Sequence, residues 1–452
     1  CFHELGFLTH DDKSVITPTQ IIQHLGFVLN SIEMTISISE EKHNKLCGVI
    51  ISVLKQNMCS IRAVAQMIGM MVACCPGVEY GTLFYRQIDR EKTAALKVNQ
   101  GDFDKHMTLS PKAHQDMLWW VENARLFTKR LDHGKIGHVL YTDASTKGWG
   151  ANMANVTTGG EWSTVEKDHH INYLELRAVL FGLQSLCREI SNAHVKVMTD
   201  NTTAVAYINN MGGSRSFLCN DMAREVWAWC MTRNIWLTAS HIPGKLNVVA
   251  DKASRVFDDS TEWKLDANIF PKLTAHFGTP EVDMFASRLN YQMTPFVSWH
   301  PDPQAWAIDA FTLDWNNIFF YAFPPFSIIP QVLQKLDTAQ TQAILIVPNW
   351  PTQPWYPMLT RLLIQQPILL PKHKSNVSLP FKREKEHPLG KQLKLMACLL
   401  SGDPCQVRAF HQKLKQQYST PGGLEHKNNT KSFSTSGSHL LISGMQIPFI
   451  QL

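Results

Sequence analysis

Four carboxylates and one histidine stand where their types and spacing could support metal-dependent chemistry. Clustered carboxylates repel one another and are stable together only with a polyvalent cation between them. Hard oxygen ligands select Mg²⁺ or Mn²⁺. Two such ions roughly 3.5–4 Å apart can clamp the attacking and leaving oxygens of a phosphodiester. The residues are Asp143 in VLYTDAS (139–145), Glu175 in YLELRA (173–178), Asp200 in KVMTDN (196–201), and His241 and Asp251 in HIPGKLNVVADKASR (241–255).

The apolar pattern around these residues predicts the elements that carry them. Asp143 and Asp200 each end an apolar run of strand type, while Glu175 lies beside the apolar stripe of an amphipathic helix over 171–190. Asn201 or Thr202 is placed to cap the next helix. The remaining elements are predicted as two antiparallel strands in 149–163 with a turn near Thr157–Gly160, a strand over 194–200, a helix over 216–234, a strand over 235–241 and a helix over 247–255.

These motifs, in this order, resemble the ribonuclease H of retroelements. The resemblance implies an α/β fold with a mixed five-stranded sheet and flanking helices over 135–256. It also implies that Asp143, Glu175, Asp200 and Asp251 bind two Mg²⁺ ions, with Mn²⁺ as a substitute, and that His241 moves a proton. The expected substrate is the RNA strand of an RNA/DNA hybrid, read through its 2′-hydroxyl groups.

Less specific readings compete with each of these assignments. Four acids can be picked from any chain that has 38 Asp and Glu residues, and a lone histidine is often only a surface residue. Asn201 and Asn247 are placed to contact the hybrid, although this assignment is weaker than that of the acids. Arg215, in the loop GGSRS (212–216), is either a phosphate contact or a solvated arginine.

The totals fit a nucleic-acid partner without requiring one. The 452 residues suffice for two or three domains, and a hydrophobic fraction of 44% argues for packed cores. The net charge of +5 is mild. Ten Cys without a CxxC pair, and no apolar run of roughly 18 residues, predict a reduced protein of the cytoplasm or nucleus with no membrane partner. Because the chain begins with Cys in mid-pattern, we expect a fragment of a longer polyprotein.

Residues 1–134 resemble the end of a reverse transcriptase palm and the start of its thumb or connection. The resemblance rests on LGFVLNSIEMTISISEEKHNKL (25–46), which includes a predicted hairpin, followed by helical periodicity from about Glu40 to Ala73. The paired-aspartate turn of a polymerase is missing, because neither Asp11–Asp12 nor Asp258–Asp259 follows a Tyr-x context. We therefore expect no polymerase activity, and the missing upstream portion is an expected partner. Trp119 and Trp120 are predicted to pack rather than to stack on bases.

Residues 257–370 predict a second α/β unit, with strands at 281–286, 317–323 and 343–348. DMFASRLN, SWHPDP, YAFPPFS and PNWPTQPWY make the chain resemble polyproteins of DIRS-type and Ngaro-type retrotransposons, some of which carry a Dam-like methyltransferase. FPPF (323–326) occupies the place of the methyltransferase motif, but Phe323 replaces its polar residue. We therefore expect a degenerate, structural domain rather than an AdoMet-dependent enzyme, with Asp283 as a relic of cofactor binding.

The end of the chain is predicted to contribute less. Residues 371–418 read as a basic linker followed by a helix pair, and 419–452 as a disordered tail. The leading interpretation of the whole chain is a metal-dependent ribonuclease H from a retrotransposon polyprotein. The alternative is a catalytically inactive, hybrid-binding or scaffold remnant of a decayed element.

Overall fold

The computed structural model describes most of the chain. The described residues are 4–6, 10, 15, 17–257, 263–371, 376–380, 387–390, 393–417, 439–442 and 445–452. The Asp11–Asp12 and Asp258–Asp259 pairs lie outside them. Contact density divides the chain into two units, Cys1–Leu140 with Ile190–Pro243 and Tyr141–Glu189 with Gly244–Leu452.

The amino-terminal part of the first unit combines small antiparallel sheets with four helices around one apolar core. Its strands are β1 (Ile21–His24), β2 (Phe27–Asn30), β3 (Thr35–Ile38), β4 (Cys59–Ser60), β5 (His106–Met107) and β6 (Lys129–Arg130). Its helices are α1 (Glu40–Leu54), α2 (Ile61–Cys74), α3 (Arg86–Val98) and α4 (Pro111–Asn123). β1, β2, β3 and β6 form one sheet in that order, and β4 pairs with β5.

The helical periodicity from Glu40 to Ala73 belongs to two helices rather than to one run. The side chain of Ser39 accepts a hydrogen bond from Lys42 N and caps α1. Ser60 accepts one from Ala63 N and starts α2 as a new helix. The apolar spacing is kept across the break, so periodicity alone does not reveal the second cap.

The two adjacent tryptophans of α4 pack within this unit, as predicted. Trp120 is fully buried, and the ring of Trp119 stacks on Phe84 with their centroids 3.8 Å apart. Asp116, also on α4, is fully buried and pairs with Arg224 further along the same unit. Burial raises the pKa of Asp116, although the guanidinium of Arg224 opposes the rise.

A mixed five-stranded sheet follows, with strand order β11-β10-β7-β8-β9. Its strands are β7 (Ile136–Ala144), β8 (Gly148–Met153), β9 (Val156–Glu161), β10 (Ala193–Thr199) and β11 (Ile235–His241). The helices between and after them are α5 (Ile171–Leu186), α6 (Thr202–Asn209), α7 (Phe217–Met231) and α8 (Val248–Arg255). β10 and β11 are parallel, whereas β8 and β9 are antiparallel. The predicted mixture of strands and helices over 135–256 is present.

The hairpin turn between β8 and β9 lies at Ala154–Asn155, so its predicted position near Thr157–Gly160 is wrong. Glycines usually mark turns, but here Gly159 lies inside β9 and allows α8 to approach. A Cβ on Gly159 would lie 2.6 Å from Ala253 O, and one on Gly150 of β8 would lie 2.6 Å from Ser254 N. Both glycines therefore admit the backbone of α8 onto these two strands.

A second α/β body, built around a six-stranded sheet of order β13-β16-β17-β20-β18-β23, follows in the second unit. Its strands, with those of three smaller pairs, are β12 (Lys264–Leu265), β13 (Val282–Asp283), β14 (Val297–Ser298), β15 (Ala307–Ile308), β16 (Phe319–Ala322), β17 (Gln342–Pro348), β18 (Ile368–Leu369), β19 (Val377–Ser378), β20 (Leu395–Ser401), β21 (His439–Ile442), β22 (Met445–Pro448) and β23 (Ile450–Gln451). Its helices are α9 (Ile269–Phe277), α10 (Ile329–Thr338), α11 (Tyr356–Arg361) and α12 (Pro404–Gln417). Among the described residues, no helix has the length and apolar character needed to cross a bilayer.

Two predictions for the carboxyl-terminal part are wrong. The expected helix pair over 396–417 is a strand and a helix, because β20 pairs antiparallel with β17 and is buried throughout. A short apolar run of this length fits a buried strand as well as a buried helix. The predicted disordered tail includes β22 and β23, and β23 pairs with β18 at the edge of the sheet. The predictions for 372–375, 381–386, 391–392, 418–438 and 443–444 lie outside the described residues.

Candidate functional site

Three carboxylates, two at strand ends of the five-stranded sheet and one on a helix, lie close together. Asp143, Glu175 and Asp200 each place one carboxylate oxygen within 4.8 Å of the others. Asp143 and Glu175 are buried, each with 4% exposure, and Asp200 is partly exposed. Like charges this close repel, and burial strengthens the repulsion, so the arrangement favours a bound cation.

Two adjacent strands and one helix hold these acids. Asp143 is the last residue but one of β7, and Asp200 directly follows β10, its neighbour in the sheet. Glu175 is the fifth residue of α5, which packs against β8. The side chain of His170 caps this helix by accepting a hydrogen bond from Asn172 N. Two acids therefore come from strand ends and the third from a helix, as the spacing of the motifs predicts.

Ser254, which the sequence did not single out, fixes one of the acids. Its Oγ lies 2.6 Å from Asp143 Oδ2 and 2.9 Å from the backbone oxygen of Asp251, and the side chain is fully buried. A hydroxyl has one proton, and a charged acceptor makes the stronger hydrogen bond. We therefore assign Ser254 Oγ as the donor to the Asp143 carboxylate. No sequence motif marks this serine, because the contact depends on α8 lying against glycines of β8 and β9.

Asn247 supports the same strand from the other end of α8. It is 2% exposed, and its Nδ2 donates a hydrogen bond of 2.9 Å to Thr142 O, next to Asp143. Its Oδ1 has no hydrogen-bond partner in the described structure. This burial fits a residue that positions β7 better than one that touches the hybrid, which was the predicted role.

Asp251 lies outside the group of three carboxylates. Its side chain is 42% exposed, and Oδ1 accepts a hydrogen bond of 2.7 Å from Nε of Arg255, one helical turn later. The structure thus brings together three of the four predicted acids and leaves the fourth on the exposed face of α8 in an i,i+4 pair.

His241, Asn201 and Arg215 all lie in the first unit. His241 is the exposed last residue of β11 and is paired in register with Thr199, which precedes Asp200. Asn201 caps α6 by accepting a hydrogen bond of 2.9 Å from Ala204 N. Arg215 is exposed in the loop between α6 and α7. Asn201 therefore follows Asp200 in the chain, and His241 lies opposite the residue before Asp200. Arg215 has neither relationship to Asp200.

The donor set fits a hard divalent cation. All three gathered groups are carboxylates, and a hydrogen bond from Ser254 orients one of them without neutralising it. Mg²⁺ and Mn²⁺ prefer oxygen ligands, and Mg²⁺ is commonly held by one or two carboxylates together with water and substrate phosphates. The observed site therefore suits these ions better than zinc, which favours nitrogen and sulfur ligands.

A separate cavity of about 360 Å³ lies in the second α/β body, beyond the ends of β13 and β16. Phe285, Phe311, Phe323 and Pro325 line it, so the FPPF motif does face a pocket. Asp283 is fully buried, and its Oδ2 accepts a hydrogen bond from Gln292 N. Burial raises the pKa of Asp283 to about 7, which disfavours the charged form that binds sugar hydroxyls or cations.

Comparison with solved structures finds nuclease and reverse transcriptase chains at low similarity. RNase H1 from the halophilic archaeon Halobacterium salinarum NRC-1 is 11% identical, with a TM-score of 0.22 over 26% of this chain and 96% of that one. LC11-RNase H1 in complex with an RNA/DNA hybrid is 18% identical, with a TM-score of 0.21 over 26% and 92%. A foamy viral protease-reverse transcriptase in complex with an RNA/DNA hybrid is 10% identical, with a TM-score of 0.22 over 53% and 31%.

No protein-family model matches the chain, and no curated protein matches it either. TM-scores near 0.2 do not establish a common fold over the whole chain.

Proposed function

We propose that this chain is a Mg²⁺-dependent endonuclease that hydrolyses the RNA strand of RNA/DNA hybrids. The observation that carries the proposal is the group formed by Asp143, Glu175 and Asp200, with one oxygen of each within 4.8 Å of the others. A cluster of three carboxylates suits phosphodiester hydrolysis, in which charge builds up on oxygens that divalent ions can stabilise. The retrotransposon setting belongs to the proposal and rests on the sequence resemblance.

The residues of the chain would divide the work as follows. Asp143, Glu175 and Asp200 would hold two divalent ions, which supply an activated water and stabilise the leaving oxygen. Asp251 would join them if its pair with Arg255 opens, because both side chains are partly exposed and a surface pair is weak. Ser254 keeps one oxygen of Asp143 directed, and Asn247 holds the strand that carries it.

His241 would move the proton. It is exposed at the end of β11, in register with the residue before Asp200. An imidazole side chain can both accept and deliver a proton near neutral pH. The exposed position also allows the ring to turn between solvent and the acids, as a proton shuttle must.

Recognition of the hybrid would use groups near Asp200 and further along the same unit. Arg215 is exposed and charged, and it suits a phosphate oxygen of either strand. Asn201 remains a candidate for a 2′-hydroxyl contact, although its Oδ1 already caps α6. We assign Asn247 to positioning rather than to the substrate because it is buried.

One observation favours the second candidate, a catalytically inactive hybrid-binding remnant. Asp251 is paired with Arg255 and stands apart from the other three acids. If that pair persists with substrate bound, the site lacks its fourth carboxylate, and binding without cleavage is expected.

The test is cleavage of a labelled RNA/DNA hybrid by the full chain in Mg²⁺, in Mn²⁺ and in chelator. Asp143→Asn should abolish cleavage because it removes one ligand charge at the centre of the group. Asp104→Asn is the control, since Asp104 forms an exposed pair with Arg62 and is not one of the three gathered acids. Binding of the hybrid without cleavage in either metal supports the inactive candidate. Cleavage that survives Asp143→Asn overturns the site assignment.

A further inference from the structure

A buried arginine from the second α/β body reaches the helix that carries Glu175. The side chain of Arg288, which follows β13, is only 8% exposed. Its NH1 nitrogen lies 2.8 Å and 3.1 Å from the two carboxylate oxygens of Glu166, and NH2 donates a 2.7 Å hydrogen bond to Glu161 O. Glu161 ends β9 and Glu166 lies just before α5. Each contact is charge-assisted, and such bonds are the stronger ones in proteins.

A second arginine completes this arrangement from within α5. Nε of Arg177 lies 3.6 Å from Glu166 Oε1, so two guanidinium groups share one partly buried carboxylate. Both guanidinium carbons also lie 4.7 Å from the ring centroid of Phe181. Burial alone would raise the pKa of Glu166, but Arg288 and hydrogen bonds from Ser163 outweigh it and lower the pKa. The carboxylate is therefore charged. The ring that both guanidinium groups contact is buried, since Phe181 is 1% exposed.

From Phe181 a chain of contacts leads to Asp143, one of the three gathered acids. Phe181 lies six residues after Glu175 on α5, and its ring centroid is 5.9 Å from that of the fully buried Trp162. Trp162 Nε1 donates a hydrogen bond of 2.9 Å to Ser145 O, and Ser145 Oγ donates one of 2.6 Å to Ser254 O. Ser254 in turn donates to Asp143.

We propose that Arg288 is a positioning residue for the nuclease site, and that it fixes Glu175 through α5 and Asp143 through Ser145 and Ser254. The inference rests on the proposed function. It makes the second α/β body a working part of the metal site rather than an independent domain. The planar fork matters, because Arg288 uses NH1 for Glu166 and NH2 for Glu161 O, whereas a lysine would keep the charge but lose this fixed pair of donors.

A third arginine, Arg188, also links the region around α5 to the second α/β body and provides a matched control. Arg188, just beyond α5, donates hydrogen bonds of 3.1 Å to Trp306 O and 3.0 Å to Asp302 O. It touches neither Glu166 nor Phe181 in any described contact. If docking of the second body were all that mattered, loss of Arg188 and loss of Arg288 should have similar effects on the site.

The experiment measures binding of Mn²⁺ alone to the full chain by electron paramagnetic resonance or calorimetry, together with kcat and KM for hybrid cleavage. Partners of metal ligands typically contribute about 10- to 100-fold in metal affinity or activity. We expect Arg288→Met to weaken Mn²⁺ binding about 10-fold and to lower kcat at limiting Mn²⁺. KM for the hybrid should stay unchanged, and added Mn²⁺ should restore kcat. Arg288→Lys should restore part of the affinity, and Arg188→Met should stay within about twofold of the wild type.

Glu166→Gln tests the same link from the other side and covers the case in which Arg288→Met does not fold. Wild-type Mn²⁺ affinity in folded Arg288→Met, or an equal loss in Arg188→Met, overturns the positioning role. If the wild type binds Mn²⁺ but cleaves no hybrid, the proposed function fails. The comparison of Mn²⁺ affinities still decides the role of Arg288 in that case.

Discussion

The hydroxyl of Ser254 on α8 lies 2.6 Å from Oδ2 of Asp143 on β7. This bond joins the last helix of the five-stranded body to its central strand at the residue that we place at the centre of the metal site. It can form because Gly150 and Gly159 admit the backbone of α8 to within van der Waals contact of β8 and β9. The position of Asp143, a metal ligand in the proposed function, thus depends on two residues without side chains and on one small hydroxyl.

Ser254→Ala should weaken metal binding and activity by about 10- to 100-fold, because a carboxylate that loses its hydrogen-bond partner is less well oriented. Stability in the absence of metal should fall by about 1–3 kcal/mol, since a buried acceptor loses its donor. Titration of the full chain with Mn²⁺ and urea unfolding measure the two effects. Ser185→Ala is the control, because the buried Oγ of Ser185 makes no hydrogen bond in the described structure. Equal metal affinity in the two variants would contradict the role given to Ser254.

Glu175→Gln should remove most of the stabilisation that Mg²⁺ gives the wild type. Without divalent ions, the variant should be more stable than the wild type, because one of three mutually repelling charges is gone. With Mg²⁺ at about 100 times its dissociation constant, the wild type should gain about 2.7 kcal/mol and the variant much less. Thermal melting with chelator and across a Mg²⁺ series measures both. A Mg²⁺-induced gain of the same size in wild type and variant would show that the ion binds elsewhere.

Asp251→Asn should reduce cleavage less than Asp143→Asn does. Asp251 is paired with Arg255 and lies outside the three gathered acids, so it can contribute only after that pair opens. We expect a loss of about 10-fold from Asp251→Asn at saturating Mg²⁺, and a gain in Mg²⁺ affinity from Arg255→Met, which frees the carboxylate. Initial cleavage rates across a Mg²⁺ series give both values. A complete loss in Asp251→Asn would mean that all four acids act together from the start.

Several elements of the five-stranded body could be predicted because apolar periodicity and strand ends are local signals in the sequence. Asp143 and Asp200 end apolar runs, and Asn201 caps α6, so each has a signal within a few residues. Ser254 had no such signal. Its role comes from the packing of α8 on two glycines, one of which was interpreted as part of a turn.

The carboxyl-terminal part was harder to predict because its short apolar runs do not distinguish a strand from a helix. β20 looks like half of a helix pair in isolation, and it becomes a strand only through its pairing with β17. No local pattern in the sequence marks Arg288 as a functional candidate either. Its partners Glu161 and Glu166 lie more than one hundred residues earlier in the chain, and only the fold brings the three together.

The fully buried Asp283 should make stability depend on pH in a direction opposite to that of an ordinary ion-paired aspartate. Burial raises its pKa to about 7 in the folded protein, with Lys264 nearby partly opposing the rise, whereas an unfolded aspartate titrates near 3.9. Between these two values the folded state binds more protons than the unfolded state, so stability should fall as pH rises from about 4 to about 7. The fall is of the order of 1.4 kcal/mol per pH unit at most.

Asp283→Asn cannot ionise and should show a flatter profile of stability against pH, with its largest advantage over the wild type at pH 8. Urea unfolding at pH 5, 6, 7 and 8 measures this, with the exposed Asp314→Asn as the control. Parallel profiles for wild type and Asp283→Asn would mean that the buried carboxyl stays ionised throughout, and that a partner such as Lys264 compensates for its burial.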